Sequence, residues 1–164
     1  MRDVLAGVAA IVLLLAAASL ATTLQTFRRR RLRARTAEQD QGRTVIAEIP
    51  GDEDLVLFTA DATHFHFRDH AIDKKAIVAV RVLINGAPIA SYVSRRHAGE
   101  AARQATRFED RPEGIARDRW DVAIETAGGT TLVECGAIRE RVSQELARTV
   151  FDAVKRDLEQ RDVM

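Results

Sequence analysis

Cysteine is almost absent from this chain, since Cys135 is the only one among 164 residues. A single thiol excludes an intramolecular disulfide, and no CxxC pair offers a structural zinc site or a dithiol redox site. The motifs GxxxxGK[ST], GxGxxG, GxSxG and HExxH are missing too. Their absence removes the usual carriers of nucleotide, hydride, acyl-transfer and zinc-protease chemistry. The sequence therefore predicts a protein that is not an enzyme and carries no cofactor.

The C-terminal part of the chain also lacks an excess of basic residues. Residues 1–42 carry seven arginines against three acidic residues, whereas the rest of the chain has 18 basic and 21 acidic residues. A protein that binds nucleic acid needs a basic surface to neutralise phosphates. We therefore expect no nucleic-acid partner.

One long apolar run is present near the N-terminus. Residues 4–24 contain no charged residue, and a helix of about 20 apolar residues spans a bilayer core. A cleaved signal peptide is the alternative, with Ser19-Leu20-Ala21 as its cleavage site. Because arginines follow the run, the positive-inside rule favours an uncleaved anchor. The predicted location is a cell inner membrane, single-pass, with the N-terminus outside and the C-terminal domain in the cytoplasm.

The arginines after this run form a basic cluster that we expect to contact anionic lipid headgroups at the membrane surface. A specific anionic-lipid site, such as one for cardiolipin, is the alternative. Residues 36–42 are polar and predict a short linker. The predicted boundaries are 1–27 for the anchor, 28–42 for the basic segment with its linker, and 43–164 for one folded domain. The cluster consists of Arg28, Arg29, Arg30, Arg31, Arg33 and Arg35.

From Arg43 onward, apolar and polar residues alternate in seven segments, which is typical of β-strands. Asn85-Gly86 and Gly128-Gly129 are turn signals that predict two hairpins. Residues 95–117 break the pattern and predict a loop, and residues 139–161 have the periodicity of one amphipathic helix. The predicted fold is α+β: an N-terminal transmembrane helix, then a mostly antiparallel β roll or barrel of about seven strands, closed by a C-terminal amphipathic helix.

Two stretches carry a resemblance to a known family. They read LVLFTADATHFHFRDHAIDKKAIVAVRV at 55–82 and VAIETAGGTTLVECGAIRERVSQELARTVFDAV at 122–154. In strand order and closing helix, the chain resembles the bacterial pleckstrin-homology-like (PH-like) domains, which implies a binding or scaffold role. Eukaryotic members of the family usually carry a tryptophan in the closing helix, whereas here Phe151 would take that core position. The loop in which inositide-binding members carry basic residues reads PGDED here, and its carboxylates would repel a phosphorylated headgroup.

The segment HFHFRDH at 64–70 holds three of the four histidines. Residues two apart on a strand share one face, so His64 and His66 could bind one metal ion with His70 as a third ligand. The alternative is structural: Phe65 and Phe67 fill the core, while the histidines lie on the solvent face or on a partner surface.

Two functions follow from these patterns. In the first, the chain is a non-enzymatic single-pass membrane protein that presents a PH-like binding domain at the cytoplasmic membrane surface. It would serve as an accessory or assembly factor, with a membrane-protein partner or further copies of itself. The expected contact surfaces are a sheet edge, the loop 95–117 and the His64/His66 face. In the second, the chain is a metal- or small-ligand-binding domain, catalytic or not, that uses the histidine cluster. A third variant keeps the fold but exports the domain.

Overall fold

A computed structural model describes residues 2–51, 55–97 and 119–163 of the chain, although in the first helix it describes side chains only from residue 13 onward and not at positions 14, 21 and 27. The chain divides into two compact units, residues 1–41 and residues 42–164. The boundary between the units falls at Gly42, inside the predicted basic segment.

The first unit is one continuous helix, α1 (Arg2–Asp40). It includes all six clustered arginines and most of the segment predicted to be a linker, because residues 36–40 contain no proline or glycine that would end a helix. The helix ends where the N–H of Gln41 donates to the carbonyl of Glu38 and Gly42 adopts a φ of 73°. Only glycine adopts that left-handed conformation without steric cost.

The prediction of a transmembrane anchor at 1–27 is wrong. Among the described residues, no helix is both long enough and apolar enough to cross a bilayer. The same finding contradicts the predicted inner-membrane, single-pass location.

The second unit begins with a four-stranded antiparallel sheet in the order β1-β2-β3-β4. Its aromatic residues meet across neighbouring strands: Phe58 lies opposite Phe67 and stacks on Phe65 at 5.6 Å between ring centroids. All three rings are buried, as the alternating pattern predicts for Phe65 and Phe67. The strands are β1 (Thr44–Pro50), β2 (Leu55–Ala60), β3 (His64–Phe67) and β4 (His70–Asp73).

A second four-stranded antiparallel sheet follows, in the order β6-β5-β7-β8. Asn85 and Gly86 join its first two strands with φ values of 52° and 78°, which fits a type I′ turn and confirms the predicted hairpin. The other predicted hairpin is confirmed by the pairing of Thr126 with Gly129. The strands are β5 (Ile77–Ile84), β6 (Ala87–Val93), β7 (Arg119–Thr126) and β8 (Gly129–Ala137).

The C-terminal helix α2 (Arg141–Val163) packs against both sheets. Its buried face consists of Ser143, Ala147, Val150, Val154 and Leu158. The predicted apolar stripe is displaced at its start, because Val142 is 62% exposed and Ser143 is buried in its place. Phe151 is only partly buried at the edge of the core.

The predicted strand count and barrel are corrected. The structure is α+β with eight strands in two antiparallel sheets and one C-terminal helix. The additional strand is β4, which the sequence does not mark because it has four residues and only Ile72 of them is buried. The chain also departs from a simple meander, because β5 lies between β6 and β7. This arrangement leaves β6 at the edge of the second sheet among the described strands.

Candidate functional site

The predicted histidine triad is divided between two faces of the first sheet. His66 lies opposite Ala71, and His70 lies opposite Phe67. Side chains that lie directly opposite each other in an antiparallel pair point to the same side. His70 therefore shares the side of the buried Phe67, at the exposed end of the strand, whereas His64 and His66 point to the other side. The register, set by the turn at Arg68 with its φ of 52°, separates the third histidine from the other two.

Asp61 organises the turn before β3. Its Oδ1 accepts from the backbone N–H groups of Thr63 at 2.6 Å and His64 at 2.7 Å. Its Oδ2 accepts from Nε2 of His66 at 2.7 Å. The ring of His64 has its own contact, because its Nδ1 lies 2.8 Å from the hydroxyl of Thr63. An aspartate that caps the backbone two residues later is typical of an Asx turn. The pair His64/His66 is therefore part of a hydrogen-bonded turn.

This turn offers little to a metal ion. The hydrogen bond from His66, followed by those from the backbone of Thr63 and His64, holds the pKa of Asp61 well below its ordinary value. An ionised carboxylate only accepts, so Nε2 of His66 carries the proton and has no lone pair for a metal there. Within the described residues, no group of three or more His, Cys, Asp or Glu side chains is arranged to hold a metal ion.

Asp61→Asn is expected to reduce the loss of stability at acid pH. A carboxyl group whose pKa is lower in the folded state than in the unfolded state stabilises the fold at pH values above its unfolded-state pKa, which is about 3.9 for aspartate. This contribution is lost as the pH falls below that value toward the pKa of the folded state. The native chain should therefore lose more of its thermal midpoint between pH 6 and pH 3 than the variant. Thermal unfolding followed by circular dichroism at both pH values measures this. Equal losses would show that Asp61 does not contribute.

A first groove lies between β1, β2 and the C-terminal half of α2. It encloses about 390 Å³. Two of its charged residues are paired: Nζ of Lys74 donates to the carbonyl of Asp61 at 2.7 Å and lies 3.8 Å from Oδ1 of Asp157. Asp157 also pairs with Arg161 at 2.9 Å. The lining also includes the cation Arg156.

A second groove lies between β6 and α2, and we call it the β6–α2 groove. It encloses about 320 Å³. Trp120 forms part of its lining and is held by a hydrogen bond from Nε1 to the carbonyl of Ile138 at 3.3 Å. Most of the lining is apolar, which is the usual character of a binding cleft. The lining residues are Val82, Ile89, Ala90, Trp120, Gln144, Arg148, Phe151 and Asp152.

Strand β6 forms one wall of this groove and is an edge strand without charged residues. Its seven residues contain no charge, and residues 87–91 are exposed. Val82 pairs with Ala90 and Leu83 pairs with Pro88, which leaves Ile89 as the extra residue of a β-bulge. Bulges re-aim side chains at sheet edges. Here Ile89 lines the groove and is still 55% exposed.

Hydrogen bonds to Asp162 hold the end of β6 against the last turn of α2. Its carboxylate accepts from the hydroxyl of Tyr92 at 3.1 Å, from Oγ of Ser94 at 2.7 Å and from the N–H of Arg95 at 3.0 Å. Burial alone would raise the pKa of Asp162. The hydrogen bonds from Ser94, Arg95 and Tyr92 outweigh burial and lower that pKa. The carboxylate is therefore ionised at neutral pH, and its bonds fix the two walls of the groove relative to each other.

The other residues singled out from the sequence have separate environments. Cys135 is fully buried, and burial raises the pKa of its thiol to about 12, so the thiolate is not formed at neutral pH. The six arginines lie on α1, and their binding to anionic headgroups stays a prediction. The loop 95–117 lies outside the described residues apart from a short 3₁₀ helix at Arg95–His97. The acidic residues 52–54 also lie outside them.

The comparisons with known proteins give no relative for this chain. No family model, no curated protein and no solved structure matches it. The resemblance to PH-like domains therefore stays a prediction.

Sequence reasoning missed two features of these sites. Asp61 has a local signal, because an aspartate two residues before a threonine is typical of an Asx turn. The openness of β6 has a weaker signal, the uncharged run APIASYV at 87–93. Its position at a sheet edge has no local signal, because it depends on which strand pairs with β5.

Proposed function

We propose that residues 42–164 form a non-enzymatic binding domain that takes a protein partner at the β6–α2 groove. A single observation carries the proposal: an uncharged, exposed edge strand borders a groove lined by Val82, Trp120 and Phe151. Edge strands are protected by charged side chains, above all lysine, and by prolines and β-bulges. β6 has a proline and a bulge near its start, but no charged residue anywhere along it. An edge without charged residues, next to an apolar cleft, has the properties of an interaction surface.

The composition of the groove supports a protein segment over a small charged ligand. The only charged side chains in its lining, Arg148 and Asp152, pair with each other at 3.7 Å. No net charge remains in the lining to select an ionic group. Aromatic residues such as Trp120 and Phe151 commonly hold apolar side chains of a partner. The domain would act as an accessory or assembly factor by holding such a segment.

Ile89→Lys is expected to weaken binding of a partner segment at least tenfold. Lysine removes an apolar group from the wall of the groove and adds the charge that protects edge strands in other proteins. Peptides selected from a random phage library against the full-length chain are the probe, and fluorescence anisotropy measures their affinity. The matched control is Leu55→Lys, which changes a leucine on β2 that is 40% exposed and lies outside this groove.

Two outcomes would overturn the proposal. In the first, the selected peptides bind Ile89→Lys as tightly as they bind the native chain. In the second, sedimentation shows that the native chain is a dimer that Ile89→Lys dissociates, which would assign the surface to a second copy of the chain. A loss of peptide affinity in Ile89→Lys alone, with Leu55→Lys unchanged, supports the groove as the binding surface.

A further inference from the structure

The backbone of β6 shows which of its polar groups face away from the sheet. The N–H of Ser94 donates to the carbonyl of Val78 on β5 at 2.8 Å. Along an antiparallel strand, the residues that bond to a given neighbour alternate. Tyr92 and Ala90 therefore face β5 as Ser94 does, and Ser91 and Val93 direct their N–H and C=O groups outward. No described strand pairs with that outer side.

The open edge has a defined end. Pro88 pairs with Leu83, directly after the pair of Ala87 with Ile84 that closes the hairpin. The closing pair of a two-residue hairpin is hydrogen-bonded, so the backbone of the next residue, Pro88, faces away from β5. A proline is tolerated at such a position of an edge strand. Proline has no N–H to donate. The segment that can accept a further strand is therefore Ile89–Val93, about 17 Å long at 3.4 Å per residue.

We propose that the partner binds as an extended, uncharged segment that adds a fifth strand to the second sheet beyond β6. Its main chain pairs with the outward groups of Ser91 and Val93, and its pairing ends at Pro88. This inference rests on the proposed function and specifies the chemistry of the partner. Addition of a strand satisfies the open backbone groups, and pockets for alternate side chains then provide specificity.

The surroundings of the edge determine the side chains of this segment. Residues 87–93 contain no charge that could pair with a charged partner, and Val82, Trp120 and Phe151 favour an apolar side chain in the groove. Successive residues of a strand point to opposite sides. The segment is therefore four to six residues of high β-propensity, with an apolar side chain at every second position on the groove side.

Backbone methylation of the peptide tests strand addition without any change to the protein. Each amide of the best selected peptide is N-methylated in turn, and affinity for the full-length chain is measured by fluorescence anisotropy. Strand addition predicts losses of at least tenfold at alternating positions, because only every second amide faces β6. Affinity that is insensitive to methylation at every position would overturn the inference.

Ser91→Pro tests the same pairing from the side of the protein. Its outward N–H is not used by β5, so the variant should fold, and peptide affinity should fall at least tenfold. Ser91→Ala, which keeps the N–H, should stay within twofold of the native chain. If Ser91→Pro binds normally while Ile89→Lys does not, the groove binds peptide without strand addition, so the inference fails and the proposed function stands. If both bind normally, the proposed function fails as well.

Discussion

Arg119→Met is expected to lower the free energy of unfolding by about 3–5 kcal/mol at neutral pH, the usual cost of leaving a buried charge without its partner. Asp121 is 1% exposed, and its Oδ1 lies 2.7 Å from Nε of Arg119. These two atoms form an ion pair but are not aligned for a hydrogen bond. Arg119 also lies 3.0 Å from Glu134 through Nη1. Its removal leaves the Asp121 carboxylate buried and uncompensated.

The pH dependence of this loss follows from the burial of Asp121. Burial raises the pKa of its carboxyl group, and Arg119 opposes that rise. Without the guanidinium, the folded chain binds a proton at Asp121 at higher pH than the unfolded chain does. The deficit of the variant relative to the native chain should therefore shrink as the pH falls from 8 to 5. Urea unfolding at several pH values measures it.

Two variants separate a buried charge from the general loss of an arginine. Arg119→Met/Asp121→Asn removes both charges and should recover most of the lost stability. Arg148→Met breaks an ion pair whose arginine is 81% exposed, and exposed pairs contribute at most about 1 kcal/mol. If Arg119→Met cost no more than Arg148→Met, the buried pair would have no special role in stability.

Phe58→Ala is expected to lower the free energy of unfolding by about 3–5 kcal/mol, the usual cost of truncating a fully buried phenylalanine. Phe58 is 0% exposed and has Phe65 and Phe67 at 5.6 and 6.4 Å between ring centroids. Its removal opens a cavity in the aromatic cluster of the first sheet. Urea denaturation should show a lower midpoint with little change in slope.

Leu55→Ala is the matched control for this cavity, because it truncates a large apolar side chain on the same strand that is 40% exposed. It should cost well under half as much as Phe58→Ala, since solvent already reaches the site. Similar losses in both variants would mean that strand propensity dominates the stability of β2. Neither residue lines the β6–α2 groove, so peptide affinity measured below the unfolding transition should be unchanged in Phe58→Ala.

The proposed binding site was only partly accessible to sequence reasoning. The sequence predicts an exposed sheet edge as a contact surface, but it also points to His64, His66 and the loop 95–117. The reason is that a cluster of histidines can be read directly from the sequence, whereas a groove between distant segments cannot. The groove forms because Val82 from β5, Trp120 from β7 and Phe151 from α2 come together, and these residues are separated by long stretches of chain.

Local patterns determined several elements of this protein by themselves. Asn85-Gly86 specifies its hairpin because few residues adopt two consecutive positive φ values. Phe65 and Phe67 alternate with histidines, and a strand must place them on one face. The periodicity near the C-terminus specifies a helix, which the structure places at Arg141–Val163. Each of these depends only on backbone preference or on side chains a few positions apart.

Tertiary structure alone decided the rest. The separation of His70 from His64 and His66 depends on the register of β3 with β4, since a shift by one residue moves a side chain to the other face. The edge position of β6 depends on the pairing of β5 with β7, whose partners lie about 40 positions apart. The buried charge of Asp121 is stable only beside Arg119. These features arise from long-range pairing and burial, which local sequence preference does not encode.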